Sequence, residues 1–523
     1  MNKGRIKIVC DLKPTGNIEQ DKIIIPKIIQ STLGVHRKNE ADIIRLFNYY
    51  YNDTDIKAKE KTQQPDINNK IGVNYASIAV NTINGYSFSN SLTFSSRKTD
   101  NEDEMKAFSD ALDEDNYNHK LKKLTLNYGI CGLAYKYIIP ASKEEKEDGI
   151  YYKTVTDLDP KTTYCVYENS LEKNKICAIS YCNRRVYSND FKSYKSDTVY
   201  TVWTKWHQWE FIVDKGSYKN IPFNIDGNNY DAYPLMFKQI PVIEYRSLDG
   251  TSYFEMAMDL INAINALASS RVDDVQQAVD YIISLRDIDT ESEGALEKIK
   301  KCLKDGLLSF RSIQGASVQP EIDVLDTRLN QSEVETLQQF LCDKVEEVLN
   351  IPNRNTKASG GDTGSAVESR NGFRSLENKA GIVTDDIIRG ENEALKVIFA
   401  ICKNMSGCPF SSMIPRDVEI KDNRNKYENL SNSSSAYATL RSAGMNDRTA
   451  LEVTRLVPDA ITISKLNEQE KQKETELALA NEVKRTEAIS KFQNITESNN
   501  SSASKAKTNS NKKDSNTKDG EDK

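Results

Sequence analysis

Apolar and small residues in the second half of the chain recur in steps of three and four and predict two helices separated by a polar gap. The first pattern stops at Asn350-Ile351-Pro352, and the second runs from Ser365 to Met405 without a proline. Such steps place residues on one face of a helix. At 1.5 Å per residue the second helix would span roughly 60 Å, a length suited to bracing a large assembly. The gap, residues 350–364, has little to bury and predicts a solvent-exposed loop.

Three glycines, Gly372, Gly381 and Gly390, stand nine positions apart within the second pattern. Each glycine inside a helix costs about 1 kcal/mol relative to alanine. Their recurrence therefore predicts either close packing against another element or a bend in this helix.

The first half of the chain changes from a helical pattern to a strand pattern. Helical patterns cover residues 36–52, 71–90, 103–113 and 117–128. From Tyr151 to about Tyr245, short β-branched and aromatic runs are separated by Gly, Asn and Asp, which predicts a mainly β region. The clearest strand-like runs are Tyr164–Tyr167, Ile176–Tyr181, Thr198–Trp203 and Trp209–Val213.

A further helix is predicted to begin at Ser252, because Ser252 and Glu255 have the spacing of a capping box. Its apolar stripe continues to Val279, and a companion stripe from Val334 to Val348 follows a candidate cap at Asn330. Residues 281–326 between them combine strand-like runs with a basic helix, which predicts a small α/β module on two helical legs. The runs are Tyr281–Leu285, Leu307–Phe310 and Val318–Leu325, and the basic residues are Lys298, Lys300, Lys301 and Lys304.

The end of the chain is polar and highly charged. Helical patterns cover residues 434–456 and 464–492. Residues 496–523 contain no Leu, Ile, Val or aromatic residue and are rich in Ser, Asn and Lys. Such a segment cannot bury enough apolar surface to offset the entropy of ordering, so we expect a disordered tail.

Composition limits the function classes that the chain can serve. A length of 523 residues predicts two to four domains, and the formal net charge of -6 excludes a globally basic nucleic-acid-binding protein. The nine cysteines form no CxxC pair and there are only three histidines, which argues against a zinc site and suits a reducing compartment. No window reaches the apolar length of a membrane-spanning helix, so we expect a soluble, unsecreted protein.

Two motifs invite a chemical interpretation and fail on spacing. The run Gly360-Gly361-Asp362-Thr363-Gly364 precedes a helix, but it follows a helix rather than a strand and lacks the Lys-Ser/Thr of a phosphate-binding loop. The acids Asp287, Asp289, Glu291 and Glu293 alternate as calcium ligands do, but Ser292 stands where that loop needs glycine. No catalytic constellation and no cofactor are therefore predicted.

The order of the predicted parts resembles the portal proteins of tailed double-stranded-DNA bacteriophages, of the kind found in long-tailed phages. The likeness covers roughly residues 24–458. The stretches that carry it are Val73–Val80 leading to Gly85-Tyr86, Tyr128–Tyr135, Leu158–Lys161, Ile240–Tyr245, and Gly364–Glu368 leading through Leu376–Ala380.

The resemblance implies an α+β, predominantly helical portal fold with wing, stem, clip and crown. It assigns residues 1–250 to the wing, 251–280 and 327–349 to the stem helices, and 281–326 to the clip. It further assigns residues 350–364 to a tunnel loop, 365–405 to the long wing helix, and 406–495 to a helical crown, followed by the tail at 496–523.

The resemblance also implies a function and a set of partners. Portal proteins form a ring, commonly dodecameric, at one capsid vertex, through which double-stranded DNA is packaged and ejected. The implied partners are further copies of the chain, DNA, the terminase large subunit, the head–tail connector, and the major capsid and scaffolding proteins. The implied location is the virion, after assembly in the host cytoplasm.

The tunnel loop and the clip are the places where the resemblance puts functional side chains. It places Arg354, Asn355, Thr356, Lys357 and Ser359 against DNA in the channel, and the four clip lysines towards the terminase and the connector. An acidic overall balance suits a channel in which DNA must slide, because many repeated cationic patches would hold phosphates too tightly.

Two other function classes stay open at this point. A metal-dependent enzyme acting on nucleic acid would use the acids between Asp287 and Glu293, and its activity would be lost on Asp289→Ala. A helical oligomeric scaffold unrelated to phages would use the long helices to bind other partners. Ring formation by the purified chain would separate the portal interpretation from the scaffold.

Overall fold

The computed structural model describes most of the chain and forms two compact units, Met1–Asn425 and Lys426–Lys523. The described residues are 4–62, 65–98, 101–187, 194–214, 216–225, 227–279, 283–286, 297, 301, 321–324, 331–353, 372–424, 430–454, 456–457 and 460–503.

The first unit mixes helices and strands. Its helices are α1 (Ile18–Tyr50), α2 (Tyr75–Phe88), α3 (Glu102–Glu114), α4 (Tyr117–Cys131), α5 (Lys143–Glu147), α6 (Met258–Val279), α7 (Gln331–Leu349) and α8 (Phe373–Lys403). Short 3-10 turns lie at Asp55–Ala58, Glu255–Ala257 and Pro415–Asp417. Its strands are β1 (Ile8–Cys10), β2 (Thr93–Ser96), β3 (Leu133–Pro140), β4 (Tyr152–Val155), β5 (Thr163–Glu168), β6 (Lys175–Tyr187), β7 (Tyr194–Trp203), β8 (His207–Asp214), β9 (Ser217–Asn220), β10 (Phe223–Ile225), β11 (Asn228–Tyr230), β12 (Tyr233–Pro234), β13 (Val242–Arg246), β14 (Ile283–Arg286), β15 (Glu321–Val324) and β16 (Val418–Lys421).

The predicted β region forms the largest sheet, which confirms that part of the sequence analysis. Its order is β1-β5-β6-β7-β8-β12, with β9 also paired to β8. β1 runs parallel to β5, while β5 to β8 form consecutive antiparallel ladders. A three-stranded antiparallel sheet in the order β13-β3-β4 lies beside it in the same unit.

Two hydrophobic clusters hold the first unit together. The smaller one joins α1 to the seven-stranded sheet through Ile25, Ile28 and Ile29. The larger one combines buried residues of α2, α4, β3, β13 and α8, so that the long helix contacts the three-stranded sheet and the helical layer at once. The long helix is therefore part of the core of this unit.

Helix α1 is longer than the sequence analysis predicted. It begins at Ile18 rather than near residue 36, after the side chain of Asn17 accepts hydrogen bonds from the amides of Glu19 and Gln20. Pro26 lies inside it, and a proline there removes a backbone donor and normally ends a helix. Burial of Ile25 and Ile28 on both sides of the proline overrides that local preference.

The start of α6 differs from the predicted capping box. The Glu255 carboxylate accepts from the Ser252 amide at 3.1 Å, as a capping box requires. The Ser252 hydroxyl, however, accepts from the amide of Phe254 and donates to the Gly129 carbonyl instead of capping Glu255. A 3-10 turn therefore precedes the helix, because contact with α4 competes for the serine side chain.

The two legs are helical as predicted, but their apolar stripes are only partly buried. In α6, Ile261 and Ile264 are buried whereas Val275 is 56% exposed. In α7, Val345 is buried whereas Leu337 is 50% exposed. Within the described residues of the predicted α/β module, β14 and β15 pair antiparallel; β14 overlaps the first strand-like run and β15 lies within the third.

The described part of the long helix, Phe373–Lys403, has the face that the sequence predicts. One prediction about its glycines was wrong, because Gly372 precedes the helix with a φ of 81° instead of lying inside it. Residues 365–371, where the pattern was expected to begin, lie outside the described residues. The buried positions on that face are Leu376, Ala380, Val383, Ile387, Gly390, Ala394, Ile398 and Ile401.

The second unit is helical where the structure describes it. Its helices are α9 (Leu430–Ser442), α10 (Asp447–Thr454) and α11 (Ala460–Ala503). The single helix expected over residues 434–456 is divided at Gly444, whose φ of 88° is left-handed and favours glycine. Helix α11 continues past residue 496, where the tail was expected to begin. Residues 504–523 lie outside the described residues.

Candidate DNA-channel site

The predicted tunnel loop begins where α7 ends, and the structure explains why the helix stops there. Asn350 has a φ of 56°, the left-handed conformation that asparagine tolerates. Its amide donates to the Glu347 carbonyl at 3.2 Å, and the amide of Ile351 donates to Glu346 at 2.9 Å. This pair of bonds is a Schellman motif, which satisfies carbonyls that the helix end would leave without partners.

The start of α8 lies at the same place. A methyl group built on Gly372 would lie 3.8 Å from the Ile351 carbonyl oxygen and 3.8 Å from Pro352 Cα. Ile351 and Pro352 are buried, so this meeting point belongs to the core. The chain therefore leaves α7 and enters α8 at one location.

Most of the side chains that the sequence analysis assigned to this site belong to segments outside the described residues. Arg354, Asn355, Thr356, Lys357 and Ser359 lie outside the described residues, as do Lys298, Lys300 and Lys304 and the acids Asp287 to Glu293. Lys301 is described and is an exposed helical residue. The structure describes the helices on either side of the predicted loop, which are the two legs α6 and α7 and the long helix α8.

A segment that we call the strap, residues 54–62 and 65–73, lies along α6 and is joined to it by polar side chains. Asn265, Ser269 and Asp273 stand on one face of α6 in steps of four. The amide of Val73 donates to Asn265 Oδ1 at 2.7 Å, and the amide of Ile71 donates to Ser269 Oγ at 2.9 Å. The first leg is thus attached to the N-terminal region by side-chain-to-backbone hydrogen bonds.

Asp273 is the charged anchor of the strap. Its buried carboxylate accepts from the amide of Asn69 at 2.8 Å and from Lys59 Nζ at 2.8 Å, and Lys61 Nζ lies 3.6 Å away. Burial alone would raise the pKa of Asp273, but the hydrogen bonds from Lys59 and Asn69 outweigh it and lower the pKa to about 2. The carboxylate is therefore ionised throughout the physiological pH range.

The start of α6 has a second charged anchor near the N-terminus of the chain. The fully buried Arg5 guanidinium donates from Nη2 to both carboxylate oxygens of Glu255, at 2.6 and 2.5 Å. Glu255 lies in the turn that opens α6, so Arg5 fixes the end of the leg furthest from the predicted clip. Charge-assisted hydrogen bonds of this kind are roughly twice as strong as neutral ones.

A buried ion pair fastens the long helix to the three-stranded sheet. Lys136 Nζ on β3 donates to Glu391 Oε1 on α8 at 2.5 Å, and both side chains are almost fully buried. The Tyr245 hydroxyl on β13 donates to the same oxygen at 2.9 Å. Burial and the nearby Glu391 charge raise the pKa of Tyr245 well above its usual range, which keeps this hydroxyl protonated as a donor.

One turn earlier, a second polar contact holds α8 against α4. The Tyr128 hydroxyl donates to Asp386 Oδ2 at 2.8 Å, and Arg389 Nη2 lies 3.1 Å from Asp386 Oδ1. Arg389 also donates to the Arg246 carbonyl at 2.7 Å. Burial raises the pKa of Tyr128, so it too remains a donor. The stretches that carry the family resemblance, Tyr128–Tyr135 and Ile240–Tyr245, thus meet around the long helix.

Sequence reasoning named Glu255 only as a capping residue and did not identify the pairings of these anchors. Lys136 stands in an otherwise apolar run on β3, and Glu391 stands beside Gly390 on the buried face of α8. A charge inside an apolar pattern is the signal that would have pointed to a buried pair. The partners of such a charge come from distant elements, so the pairing itself needs the fold.

The described residues show little that would bind phosphates or metals beside the loop. Helix α7 carries five carboxylates and one lysine, so it repels DNA rather than holding it. Among the described ranges, no group of three or more His, Cys, Asp or Glu side chains could hold a metal ion. No described helix is long and apolar enough to cross a membrane.

Comparison with known proteins agrees with this architecture. A family described as phage portal protein, SPP1 Gp6-like, matches residues 34–501, which is most of the chain. No curated protein matches the chain. The match includes both legs, the predicted tunnel loop and the long helix. The chain therefore belongs to the phage portal protein family, and its function is that of a portal in DNA packaging and docking at the phage capsid.

Proposed function

We propose that this portal protein assembles into a ring, commonly dodecameric in its family, at one capsid vertex. Double-stranded DNA would pass through the axial channel during packaging and ejection. In this proposal residues 1–250 form the wing, α6 and α7 lie in the stem segments 251–280 and 327–349, and residues 281–326 form the clip. The long wing helix is α8, within the segment 365–405, and residues 406–495 form the crown and 496–523 the tail.

The observation that supports this proposal most directly is the meeting of α7 and α8 beside Ile351. A loop whose two ends are fixed at one buried point projects outward from that point without breaking the core. The proposed tunnel loop, residues 350–364, belongs to the stretch between these two ends and would bring Arg354, Asn355, Thr356, Lys357 and Ser359 towards DNA. In a ring, these few contacts would be repeated around the channel.

The proposed docking surfaces follow from the clip and the crown. Lys298, Lys300, Lys301 and Lys304 would face the terminase large subunit during packaging and the head–tail connector afterwards. The major capsid and scaffolding proteins would contact the outside of the ring during assembly in the host cytoplasm. The ATP-driven motor would reside on the terminase, which leaves this chain a structural role.

Native mass measurement and negative-stain imaging of the purified full chain test the ring. We expect closed rings of about a dozen subunits with an axial hole. In the companion experiment, virions carry a portal protein with both Arg354→Gln and Lys357→Gln, and their genome content is measured. Because these changes remove loop cations without touching described core contacts, we expect normal ring assembly and altered genome content.

Lys205→Gln combined with Lys219→Gln is the matched control for the loop variant, since it removes two exposed cations that lie outside the proposed loop and clip. It should leave genome retention in filled particles unchanged. A stable monomer or dimer of the purified chain would contradict the ring, and unchanged genome content in the loop variant would contradict the channel contact.

A further inference from the structure

Cationic side chains from four separate parts of the first unit meet on one surface, which we call the Lys7 cluster. Its members are Lys7 before β1, Lys173 on the turn between β5 and β6, Arg246 at the end of β13, and Arg389 on α8. Arg389 Nη2 donates to the Arg246 carbonyl at 2.7 Å. Arg246 Nη2 in turn donates to the carbonyl of Arg5, two residues before Lys7. The fold therefore brings together charges that are far apart in the sequence.

Two acids beside the Lys7 cluster already have partners within the fold. Glu244 accepts a hydrogen bond from the Tyr167 hydroxyl, and its Oε1 lies 3.7 Å from Arg246 Nη1. Asp386 Oδ1 lies 3.1 Å from Arg389 Nη2. The two arginines of the cluster therefore each have one carboxylate nearby, while Arg389 remains 55% exposed.

The two lysines of the cluster have no acidic partner among the described residues. Lys7 is half-buried, and its Nζ lies 3.9 Å from the centroid of the Tyr167 ring, a cation–π contact that leaves its N–H groups available. The side chain of Lys173 is exposed. Glu172, beside it in the sequence, accepts instead from Asn174 Nδ2 at 2.8 Å. Two ammonium groups are thus left for an external anion.

Holding these cations together has a cost in the absence of an anion. Burial lowers the pKa of Lys7, and the charges of Arg246, Lys173 and Arg389 lower it further, against the opposing charge of Glu244. Like charges at short range repel one another, and a bound anion would convert that repulsion into attraction. The cluster therefore has the electrostatics of an anion-binding surface.

We propose that the Lys7 cluster binds phosphate groups of double-stranded DNA, at a site separate from the legs and the predicted tunnel loop. DNA is the polyanion that a member of this family handles during packaging. Lysine ammonium groups bind phosphate as point charges, and an exposed arginine can add further N–H donors. The site would hold DNA rather than let it slide. It depends on the family's function in DNA packaging and does not require the proposed ring.

Removing the two unpaired cations tests the site. The double variant Lys7→Gln with Lys173→Gln should weaken binding of the purified full chain to a duplex of about 30 base pairs by about tenfold at low salt, measured by fluorescence anisotropy. Each lost phosphate contact reduces the slope of log K against log salt by about 0.9, so the variant should lose about 1.8 of that slope. An unchanged slope would overturn the proposal.

Lys205→Gln with Lys219→Gln is the matched control, because it removes the same charge from exposed positions on the turn between β7 and β8 and on β9. It should keep the affinity and the salt slope of the unaltered chain. Circular dichroism should show equal helix content in both double variants. An equal loss of DNA binding in the control would overturn the site, because the effect would then follow net charge alone.

A change that strengthens binding gives a test that does not depend on loss of function. Glu393 lies on α8 one turn after Arg389, is 45% exposed, and lies 3.5 Å from Lys175 Nζ. Glu393→Gln removes an acid beside the cluster and frees the charge of Lys175, so it should tighten duplex binding by about twofold. Unchanged or weaker binding in Glu393→Gln would count against the site.

Two further arms identify the ligand and separate this inference from the proposed function. Lys7→Gln with Lys173→Gln should cause the same loss of duplex binding when Arg354→Gln and Lys357→Gln are also present, since the two sites are separate. Loss of binding only when the loop cations are intact would overturn the separate site. Tighter binding of poly-glutamate than of the duplex would overturn DNA in favour of an acidic protein segment. Absence of rings in the unaltered chain would overturn the proposed ring alone, because the duplex assay measures the cluster directly.

Discussion

Lys136 and Glu391 show how a single residue pair can fix the position of a helix. Both side chains lie in the core, where a charge without a partner carries a large desolvation cost. Tyr245 shares the Glu391 oxygen, so the carboxylate has a donor from each of two strands of the same sheet. A pair of this kind restricts α8 to one register against β3 and β13.

Glu391→Ala should lower the free energy of unfolding by about 3–5 kcal/mol, because it leaves Lys136 charged, buried and without its carboxylate. Urea unfolding followed by circular dichroism measures the change. The double variant Lys136→Met with Glu391→Leu should recover most of the loss, since it removes both charges.

Glu347→Ala is the control for this prediction. It breaks the exposed pair between Lys344 and Glu347 on α7, and exposed pairs contribute less than about 1 kcal/mol. Equal effects of Glu391→Ala and Glu347→Ala would show that the buried pair does not anchor the helix.

At the scale of elements, the long helix packs closely against the sheet at one glycine and loosely at another. A methyl group added to Gly390 would lie 2.3 Å from the ring of Tyr245, which is far inside contact distance. At Gly381 the nearest atom, Arg424 Nη1, would lie 3.7 Å away, an ordinary contact. Of these two glycines, only Gly390 is therefore required by close packing. Alanine would fit at position 381, where it is a better helix former than glycine.

Gly390→Ala should destabilise the first unit by about 1–3 kcal/mol, because α8 would have to move away from β13. Gly381→Ala should be neutral or stabilise by up to about 1 kcal/mol, since alanine is the better helix former. Thermal unfolding of the two variants side by side measures the difference. A stabilised Gly390→Ala variant would contradict the close approach.

The strap is attached to α6 by hydrogen bonds and ion pairs, so the stability of this attachment depends on the ionisation of Asp273. The pKa of Asp273 is lowered from 3.8 to about 2 in the folded protein. A lowered pKa means that the stabilisation is complete above the unfolded value and is lost as the pH falls from about 4 to about 2. The shift corresponds to about 2 kcal/mol.

Asp273→Asn should lower the free energy of unfolding by about 2 kcal/mol at pH 7, because the ion pairs with Lys59 and Lys61 are lost. The difference from the unaltered chain should disappear near pH 2, where Asp273 itself becomes neutral. Urea unfolding at a series of pH values measures both effects. Asp274→Asn is the control, because Asp274 is the next residue and makes no described hydrogen bond to the strap. Its stability difference from the unaltered chain should not change between pH 7 and pH 2. The same pH dependence in Asp274→Asn would show that Asp273 is not its cause.

At the scale of the whole molecule, the net negative charge of the chain is consistent with its function as a portal protein. The formal net charge is -6, and the described cations near the legs are largely engaged, as Lys59 is with Asp273 and Arg5 is with Glu255. A surface with few free cations releases few counterions when DNA passes, so it binds DNA weakly. Weak binding suits a channel in which DNA slides.

Much of the architecture could be predicted from the sequence alone. Residues close together in the sequence are enough to predict four features: the periodic face of α8, the faces of both legs, the β region and the end of α7 at Asn350. The order of these parts also carried the resemblance that the family match confirmed. The sequence was misleading at Pro26, where the tertiary burial of Ile25 and Ile28 overrides a local helix breaker.

The sequence by itself determined the long helix, the two legs and the main β region, because hydrophobic period and helix-ending residues act over a few positions. Only the tertiary structure decided that Lys136 meets Glu391, that the strap joins Asp273, and that Gly372 returns to Ile351. Each of these contacts joins residues far apart along the chain or across a long loop. Their partners are selected by the packing of whole elements, and no local pattern encodes that selection.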